Sequence, residues 1–208
     1  MENGKLSIGR DPSRGRFASC LSPVVAGTLL YTSSPFVSSS LTCCMICKTK
    51  KKARKCTLCK TVVYCSVKCQ RTDWSMHKIE CPALQKAFSS KYRVTETAIL
   101  ALRFILKNQN NETAPRWYSE LAHDYPKGWK GMKLENIQHM AKVVLRLASI
   151  ANPSEEWSLL DVCLLLAKFA HNVFTIVSSV GEVRGIGTLQ LYFLIPISKQ
   201  QIEEAHYF

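Results

Sequence analysis

The sequence lacks a long uninterrupted apolar run and is poor in acidic residues. Its most apolar stretch, residues 159–180, is broken by Asp161, Lys168, His171 and Asn172, which argues against a bilayer-spanning helix. The first residues carry no apolar signal segment, which argues against secretion. Only 15 Asp and Glu face 28 Lys and Arg, a formal net charge of +13. This excess is typical of a protein that contacts nucleic acid, a nucleosome or an acidic protein surface, and equally of a solvated basic surface.

Cysteine, by contrast, is abundant, with ten residues in a chain of 208. Such a number is typical of a secreted disulfide scaffold or of metal sites. Because no signal segment precedes the cysteines, we expect an intracellular, reducing location, the nucleus and/or the cytoplasm. Clustered cysteines in these compartments usually bind metal.

Changes in composition divide the chain into six segments. The predicted boundaries are a flexible N-terminus (1–13), a strand-forming segment (14–43), a cysteine cluster (44–81), a helical segment (82–170), a second strand-forming segment (171–187) and a C-terminal tail (188–208).

Apolar periodicity and β-branched runs predict the elements within these segments. Helices are predicted over 94–107, 134–151 and 155–170, and strands over 28–31, 172–180 and 189–197. Ser154 follows Asn152 and Pro153, so it is the expected N-cap of the third helix.

Four pairs of potential metal ligands follow one another in the cysteine cluster. They are Cys44 and Cys47, Cys56 and Cys59, Cys65 and Cys69, and His77 and Cys81. Two intervening residues let both thiolates of a tight turn reach one ion, and a pair at i, i+4 does the same from one helix face. Four pairs suffice for two closed tetrahedral zinc sites, which are structural because a catalytic site keeps a position open for water.

The remaining features of the cluster leave alternatives. Cys43 competes with Cys44 as a ligand, and Cys20, Cys43 and Cys163 are expected to be small buried apolar residues. Zinc binding supplies much of the folding free energy, since the cluster is too short to form its own core. The basic run 50–55 either contacts phosphates or is a solvated loop.

The order C-x2-C-x4-Y-C-S-x2-C-Q-x3-W-x2-H-K-x2-C from Cys56 to Cys81 resembles the MYND finger. In that family the pairs interleave, which implies one zinc ion at Cys44, Cys47, Cys65 and Cys69 and another at Cys56, Cys59, His77 and Cys81. The family binds protein partners, often proline-rich peptides. Tyr64 and Trp74 either belong to such a docking surface or pack inside the finger.

The flanks of the finger resemble SET- and MYND-domain (SMYD-type) protein-lysine methyltransferases. The resemblance rests on Arg14-Gly15-Arg16, on the glycine and proline spacing up to Phe36, on the helical stretch 83–170, and on residues 171–176 and 185–187. It implies an α+β fold in which partial SET-type strands enclose an inserted two-zinc MYND finger and a helical insert.

The same resemblance implies a site for S-adenosylmethionine. Arg14 and Arg16 would face its polar end, Gly15 would permit close approach, and Asn172 would hydrogen-bond the cofactor. Surface arginines, an ordinary turn glycine and a capping asparagine are the alternatives. Phe17 stands where the family usually has a second glycine, and its ring would crowd this pocket.

The family also requires an Asn-His-Ser-Cys strand end and a later catalytic tyrosine, and neither motif occurs. No catalytic residue is therefore assigned, and residues 188–208 differ from the family as a truncated splice form or incomplete gene model would. We expect a relative of S-adenosylmethionine-dependent histone and protein-lysine methyltransferases that lacks a complete catalytic site. The alternatives are a non-catalytic MYND adaptor in transcriptional regulation and a basic protein that binds DNA non-specifically.

Overall fold

The computed structural model describes residues 6–12, 15–28, 30, 34–90, 93–108, 118, 121, 123–154, 157–177 and 182–189. Its contacts divide the chain into two units. One comprises residues 1–34 and 190–208, and the other comprises residues 35–189.

The first unit contains an antiparallel hairpin of β1 (Leu6–Asp11) and β2 (Gly15–Cys20). Phe17 lies opposite Gly9, and a Cβ atom on Gly9 would lie 2.3 Å from the Phe17 ring, so the missing side chain makes room for the ring. The prediction that residues 1–13 are flexible is wrong for β1, because cross-strand pairing compensates for the polar composition of this strand.

In the second unit, an antiparallel sheet has the strand order β3, β7, β6. The strands are β3 (Pro35–Ser39), β6 (Val173–Val177) and β7 (Val183–Leu189). A Cβ atom on Gly185 would lie 2.3 Å from the carbonyl oxygen of Ser39, so glycine allows β7 to approach β3 closely.

All three predicted strands need correction. The strand predicted at 172–180 is β6, which begins at Val173. A strand was also predicted at 189–197, but β7 ends at Leu189, and residues 190–197 lie outside the described part. The glycines of β7 conceal it from a search for β-branched runs. Of the predicted strand 28–31, Thr28 and Leu30 lie in no strand, and the other two residues are outside the described part.

In the sequence, the finger follows β3 and precedes the remaining helices of the second unit. It consists of the short antiparallel pair β4 (Arg54–Lys55) and β5 (Val63–Tyr64), followed by helix α1 (Val67–Ser89).

Three further helices follow, α2 (Glu96–Asn108), α3 (Gly131–Ala151) and α4 (Leu159–Asn172). Helix α2 packs against the other three helices and against β3. Its Phe104 is fully buried, with ring centroids 5.6 Å from Phe36 of β3 and 5.6 Å from Phe169 of α4. None of the helices in the described part is long and apolar enough to cross a membrane.

The N-cap of α4 is Ser158, not the predicted Ser154. The Ser158 hydroxyl accepts from the N–H of Asp161 at 3.1 Å, and the Asp161 carboxylate accepts from the N–H of Ser158 at 3.0 Å. Ser154 instead donates its hydroxyl to the side chain of Asn152 at 2.7 Å. The reciprocal capping box satisfies two backbone groups at this end of the helix, which explains why α4 begins four residues later than the pattern predicted.

Candidate metal centre

Two Cys-x2-Cys turns with the same backbone geometry open the finger. The N–H of Lys48 donates to the carbonyl of Cys44 at 3.0 Å, and the N–H of Lys60 donates to the carbonyl of Cys56 at 3.0 Å. Lys48 and Lys60 have positive φ angles of 58° and 54°, so each turn closes with a left-handed residue. This closure holds the two sulfur atoms of each turn close enough to share one ion.

Helix α1 supplies three further ligand atoms. Its N-cap, Ser66, accepts from the N–H of Cys69 at 3.2 Å, which fixes Cys69 in the first turn. His77 and Cys81 are one helical turn apart and therefore share a face. Both are buried, His77 completely.

The structure brings the eight ligand candidates together in two groups of four, and in each group the ligand atoms lie within 4.8 Å of one another. One group is Cys44, Cys47, Cys65 and Cys69, and the other is Cys56, Cys59, His77 and Cys81. This is the interleaved arrangement that the MYND resemblance implies. Helix α1 supplies ligands to both groups, Cys69 to the first and His77 and Cys81 to the second, so the two sites share one helix.

The distances between sulfur atoms fit tetrahedral zinc. They are 3.4 Å for Cys47 and Cys65, 3.6 Å for Cys65 and Cys69, and 4.0 Å for Cys56 and Cys81. Zn–S bonds of about 2.3 Å place two sulfur ligands of a tetrahedron about 3.8 Å apart. All ten cysteines are free of disulfides. The donor sets, four thiols in one group and three thiols with an imidazole in the other, fit two structural zinc ions.

The fold lowers the pKa of two of the ligand thiols. Burial alone would raise the pKa of Cys44, but backbone N–H groups, first that of Cys47, point at its sulfur and lower the pKa to about 7. Burial likewise opposes ionisation of Cys56, where His77 and backbone N–H groups lower the pKa to about 7. Since zinc binds the thiolate, deprotonating these two ligands costs less free energy, whereas the thiol of Cys47 raises the pKa of Cys65, and burial raises that of Cys81, to about 12.

A carboxylate orients the imidazole ligand. His77 directs Nε2 towards the sulfur of Cys59, 3.9 Å away, and Nδ1 towards a carboxylate oxygen of Glu80, 2.9 Å away. Glu80 is fully buried. With zinc at Nε2, the Nδ1–H group donates to Glu80, an arrangement that fixes the tautomer and orientation of ligand histidines.

Arg103 of α2 continues this chain of contacts away from the metal. Its Nε donates to Glu80 at 2.9 Å, and its Nη1 and Nη2 donate to Asp73 at 3.1 and 2.6 Å. The hydroxyl of Tyr64 also donates to Asp73, at 2.6 Å. We call Asp73, Glu80 and Arg103 the buried charge cluster; it joins the finger to the helices.

The charges in this cluster stabilise one another. Burial would lower the pKa of Arg103, but the two carboxylates raise it above its usual value. Burial would raise the pKa of Glu80, but the guanidinium of Arg103 keeps it below the usual range. Burial and the carboxylate of Asp73 both raise the pKa of Tyr64, so its hydroxyl stays a donor.

Asp73, His77 and Glu80 also lie close enough together to hold a metal ion. The guanidinium of Arg103 already donates to both carboxylates, and His77 belongs to the zinc group. A cation in addition would face this positive charge, so the three residues are read as a support for the zinc site.

The two aromatic residues of the finger have different environments. Tyr64 is buried, as the packing interpretation predicts, whereas the side chain of Trp74 is 48% exposed. Trp74 is therefore not an interior residue, and it presents its indole beside the His77 ring, 6.4 Å away.

The cysteines outside the two groups differ in burial. Cys43 is fully buried and its N–H donates to the hydroxyl of Ser40 at 3.0 Å, so Cys44, not Cys43, lies with the ligands. Cys163 is buried in α4, as predicted. Cys20 is exposed, contrary to the prediction, because it ends the edge of a two-stranded hairpin.

The residues predicted to bind S-adenosylmethionine fall in different units of the chain. Arg14 lies outside the described residues, and Gly15 and Arg16 begin β2. Asn172 is the last residue of α4, and its side-chain amide donates to the carbonyl of Lys168, one turn earlier, at 2.6 Å. Their role towards the cofactor stays a prediction.

Comparison with known proteins agrees with the geometry. Residues 44–81 match the MYND finger family. The chain is 36% identical to human N-lysine methyltransferase SMYD2 over 113 residues, 51% of this chain and 26% of that protein. It is 26% identical to the mouse histone-lysine N-methyltransferase SMYD3 over 204 residues, 90% of this chain and 46% of the relative.

A plant protein, histone-lysine N-methyltransferase ASHR1 of Arabidopsis thaliana, is 25% identical over 207 residues, 91% of this chain and 42% of that protein. The chain thus spans less than half the length of these curated relatives. The site and the family match define a MYND-finger protein with two structural zinc sites. The chain as a whole is similar to these SMYD-type and related protein-lysine methyltransferases.

Sequence reasoning did not single out the buried charge cluster. A signal was present, since Arg103 is the one charged residue in Ile99–Leu106. A lone charge in such an apolar helix needs a buried partner. The two carboxylates that provide it, Asp73 and Glu80, are the only acidic residues among those of the cysteine cluster.

Proposed function

We propose that residues 35–189 form the protein-docking part of a SET-type lysine methyltransferase, with the finger as a rigid, zinc-braced module. This proposal rests on one observation, that the buried charge cluster attaches the finger to α2. Arg103 donates four hydrogen bonds of 3.1 Å or less to Asp73 and Glu80, and all three side chains are almost completely buried. A finger attached in this way holds a bound partner in a defined orientation.

Strand connectivity supports a SET-type sheet. Strand β3 precedes the finger in the sequence but pairs with β7, which follows helices α1 to α4. The finger and the helical segment are therefore inserted between neighbouring strands of one sheet. This is the arrangement that the resemblance to the SMYD-type family implies.

In such a protein the methyl group of S-adenosylmethionine would pass directly to a lysine amine of a histone or other protein. The rate would come from positioning and desolvation. The Asn-His-Ser-Cys motif does not occur in these 208 residues, and Tyr192 and Tyr207 stand in no context that matches the catalytic tyrosine of the family. We therefore propose that this chain, by itself, docks partners as an adaptor in transcriptional regulation and does not transfer methyl groups.

A labelled methyl donor tests this part of the proposal. The purified, zinc-loaded chain is incubated with labelled S-adenosylmethionine and a panel of histones and peptides. We expect no label in lysine. Incorporation that Asn172→Ala abolishes while the variant keeps both zinc ions would show that the chain completes a catalytic site.

Trp74 supports a proline-rich peptide as the partner, because an exposed indole is a platform for a polyproline helix. Trp74→Ala should weaken binding of a proline-rich peptide by about tenfold, as expected for loss of an aromatic anchor. Phe88→Ala is the matched control, since Phe88 is a 53% exposed aromatic residue on the same helix. Equal effects of the two variants would contradict a specific role for Trp74.

Nucleic acid is a second candidate partner. Lys52, Arg54 and Lys55 line one open groove of about 630 Å³. Reversing these three charges should weaken binding to duplex DNA and flatten its dependence on salt. Unchanged DNA binding would identify the basic run 50–55 as a solvated loop. We place either function in a reducing compartment, the nucleus and/or the cytoplasm, because the zinc-binding thiols must stay reduced.

A further inference from the structure

A groove runs between the C-terminal half of α1 and the surface of α3. Its volume is about 210 Å³. Ala83 and Ala87 of α1 and Val143, Leu147 and Ile150 of α3 supply its apolar floor. The α3 residues recur at intervals of four and three positions, and the α1 residues at four, so each helix contributes a continuous stripe. The small alanines keep the floor low, which leaves a trough along two packed helices.

The rim of the groove is basic. Lys86 of α1 and Lys142 and Arg146 of α3 line it together with His139, and no acidic residue of the described part of the chain does. Lys86 and Lys142 are exposed and form no ion pair with a carboxylate of the described residues. The floor therefore excludes strongly hydrated ligands while the rim attracts negative charge.

We propose that this groove binds an acidic amphipathic helix of a partner protein. Such a helix would place apolar side chains at i, i+4 and i+7 on the floor and its Asp or Glu residues against Lys86 and Lys142. The stretch from His139 to Ile150 is about 16 Å long at 1.5 Å per residue, enough for three turns of a docked helix. Charge complementarity selects this occupant for a chain with a formal net charge of +13.

Other ligands that a basic surface could attract fit the groove less well. A nucleic acid backbone is anionic but offers hydrated phosphates, which cannot cover an apolar floor. A second copy of this chain would bring a matching basic rim, so the two rims would repel each other. An acidic amphipathic helix satisfies both the floor and the rim.

Binding of a fluorescent 14-residue peptide to the full zinc-loaded chain tests the proposal. The probe carries Leu at helical spacing with Glu beside it. One control peptide has the same composition in scrambled order, and the other has Lys in place of Glu. We expect the probe to bind and each control to bind at least about tenfold more weakly.

Variants locate the binding to the groove. Lys142→Glu should weaken binding of the probe by about fivefold or more, whereas Lys127→Glu, in an exposed turn before α3, should change it less than about twofold. Val143→Asp should abolish binding, because it places a charge on the floor. Zinc content and thermal stability of each variant are measured alongside to show that the fold is retained.

Three results would overturn the proposal. The scrambled peptide binding as well as the probe would show simple charge attraction. An unchanged affinity of Lys142→Glu would place the peptide elsewhere. The third result would be binding of a different occupant. This would be a dimer of the chain that Val143→Asp dissociates, or DNA or anionic vesicles that bind through Lys142 while the probe does not bind.

Discussion

Arg103→Met would keep the length and much of the apolar stem of a central side chain while removing its charge. In the native structure the guanidinium faces Asp73 and Glu80, whose side chains are 6% and 0% exposed. The variant leaves two carboxylates in the interior without their cation. Breaking a buried ion pair by removing one partner costs about 3–5 kcal/mol.

Two donors that remain place the expected cost at the lower end of this range. The hydroxyl of Tyr64 still reaches Asp73, and the imidazole of His77 still reaches Glu80. A loss of about 3 kcal/mol would lower the melting temperature of a chain of this size by about 6–12 °C.

The same substitution should weaken one zinc site more than the other. Glu80 orients His77, and loss of such supporting contacts costs about 10–100-fold in metal affinity. The group of Cys44, Cys47, Cys65 and Cys69 makes no contact with Arg103 in the described hydrogen bonds. Competition with a zinc-binding dye should therefore show one ion released more readily and the other nearly unchanged.

Two variants make this assay decisive. Arg71→Met removes the same charge from an exposed position on α1 and should leave both readouts unchanged. Combining Arg103→Met with Asp73→Asn and Glu80→Gln removes all three charges and should recover much of the lost stability. If Arg103→Met melts within about 2 °C of the native chain, and both ions are released as before, the buried charge cluster does not connect the finger to the helices.

Four further changes have direct readouts. Cys59→Ser should leave one zinc ion per chain by elemental analysis, and a chain that retains two would contradict the pairing. Lys60→Val should destabilise the second turn by about 1–2 kcal/mol in urea unfolding, because Lys60 has a φ of 54°, whereas Lys60→Gly should not. Gly185→Ala should lower the melting temperature sharply, and a normal value would show that β7 does not approach β3 closely. Ser158→Ala should cost about 1 kcal/mol, and an equal loss in Ser154→Ala would contradict the observed cap.

The zinc ligands were predictable because metal coordination imposes a residue spacing that is visible in the sequence. Two residues between Cys44 and Cys47 suit one turn, and three between His77 and Cys81 suit one helix face. Helices α2, α3 and α4 were predictable for the same reason, since apolar periodicity is local, whereas α1 was not among the predicted helices. The start of α4 was predicted wrongly, because the cap was placed at Ser154, whereas it is Ser158 that has an acid three residues later.

The buried charge cluster and the sheet depend on contacts between distant parts of the chain. Arg103 is 23 residues from Glu80 and 30 from Asp73, so no local pattern pairs them. Strand β7 owes its position to Gly185, whose missing side chain matters only because β3 lies beside it. Composition alone reads such a glycine as a turn.

The chemical nature of the junction explains why the finger is held in one orientation. An apolar contact between α1 and α2 would define their relative orientation less strictly, since the hydrophobic effect is non-directional. A guanidinium that meets two carboxylates has a fixed fork geometry, and leaving any of the three groups unpaired in the interior is costly. Because Glu80 also orients His77, the zinc ion and the helical segment constrain the same side chain. Loss of zinc should therefore loosen not only the finger but also its attachment to α2, and with it the orientation of the exposed Trp74.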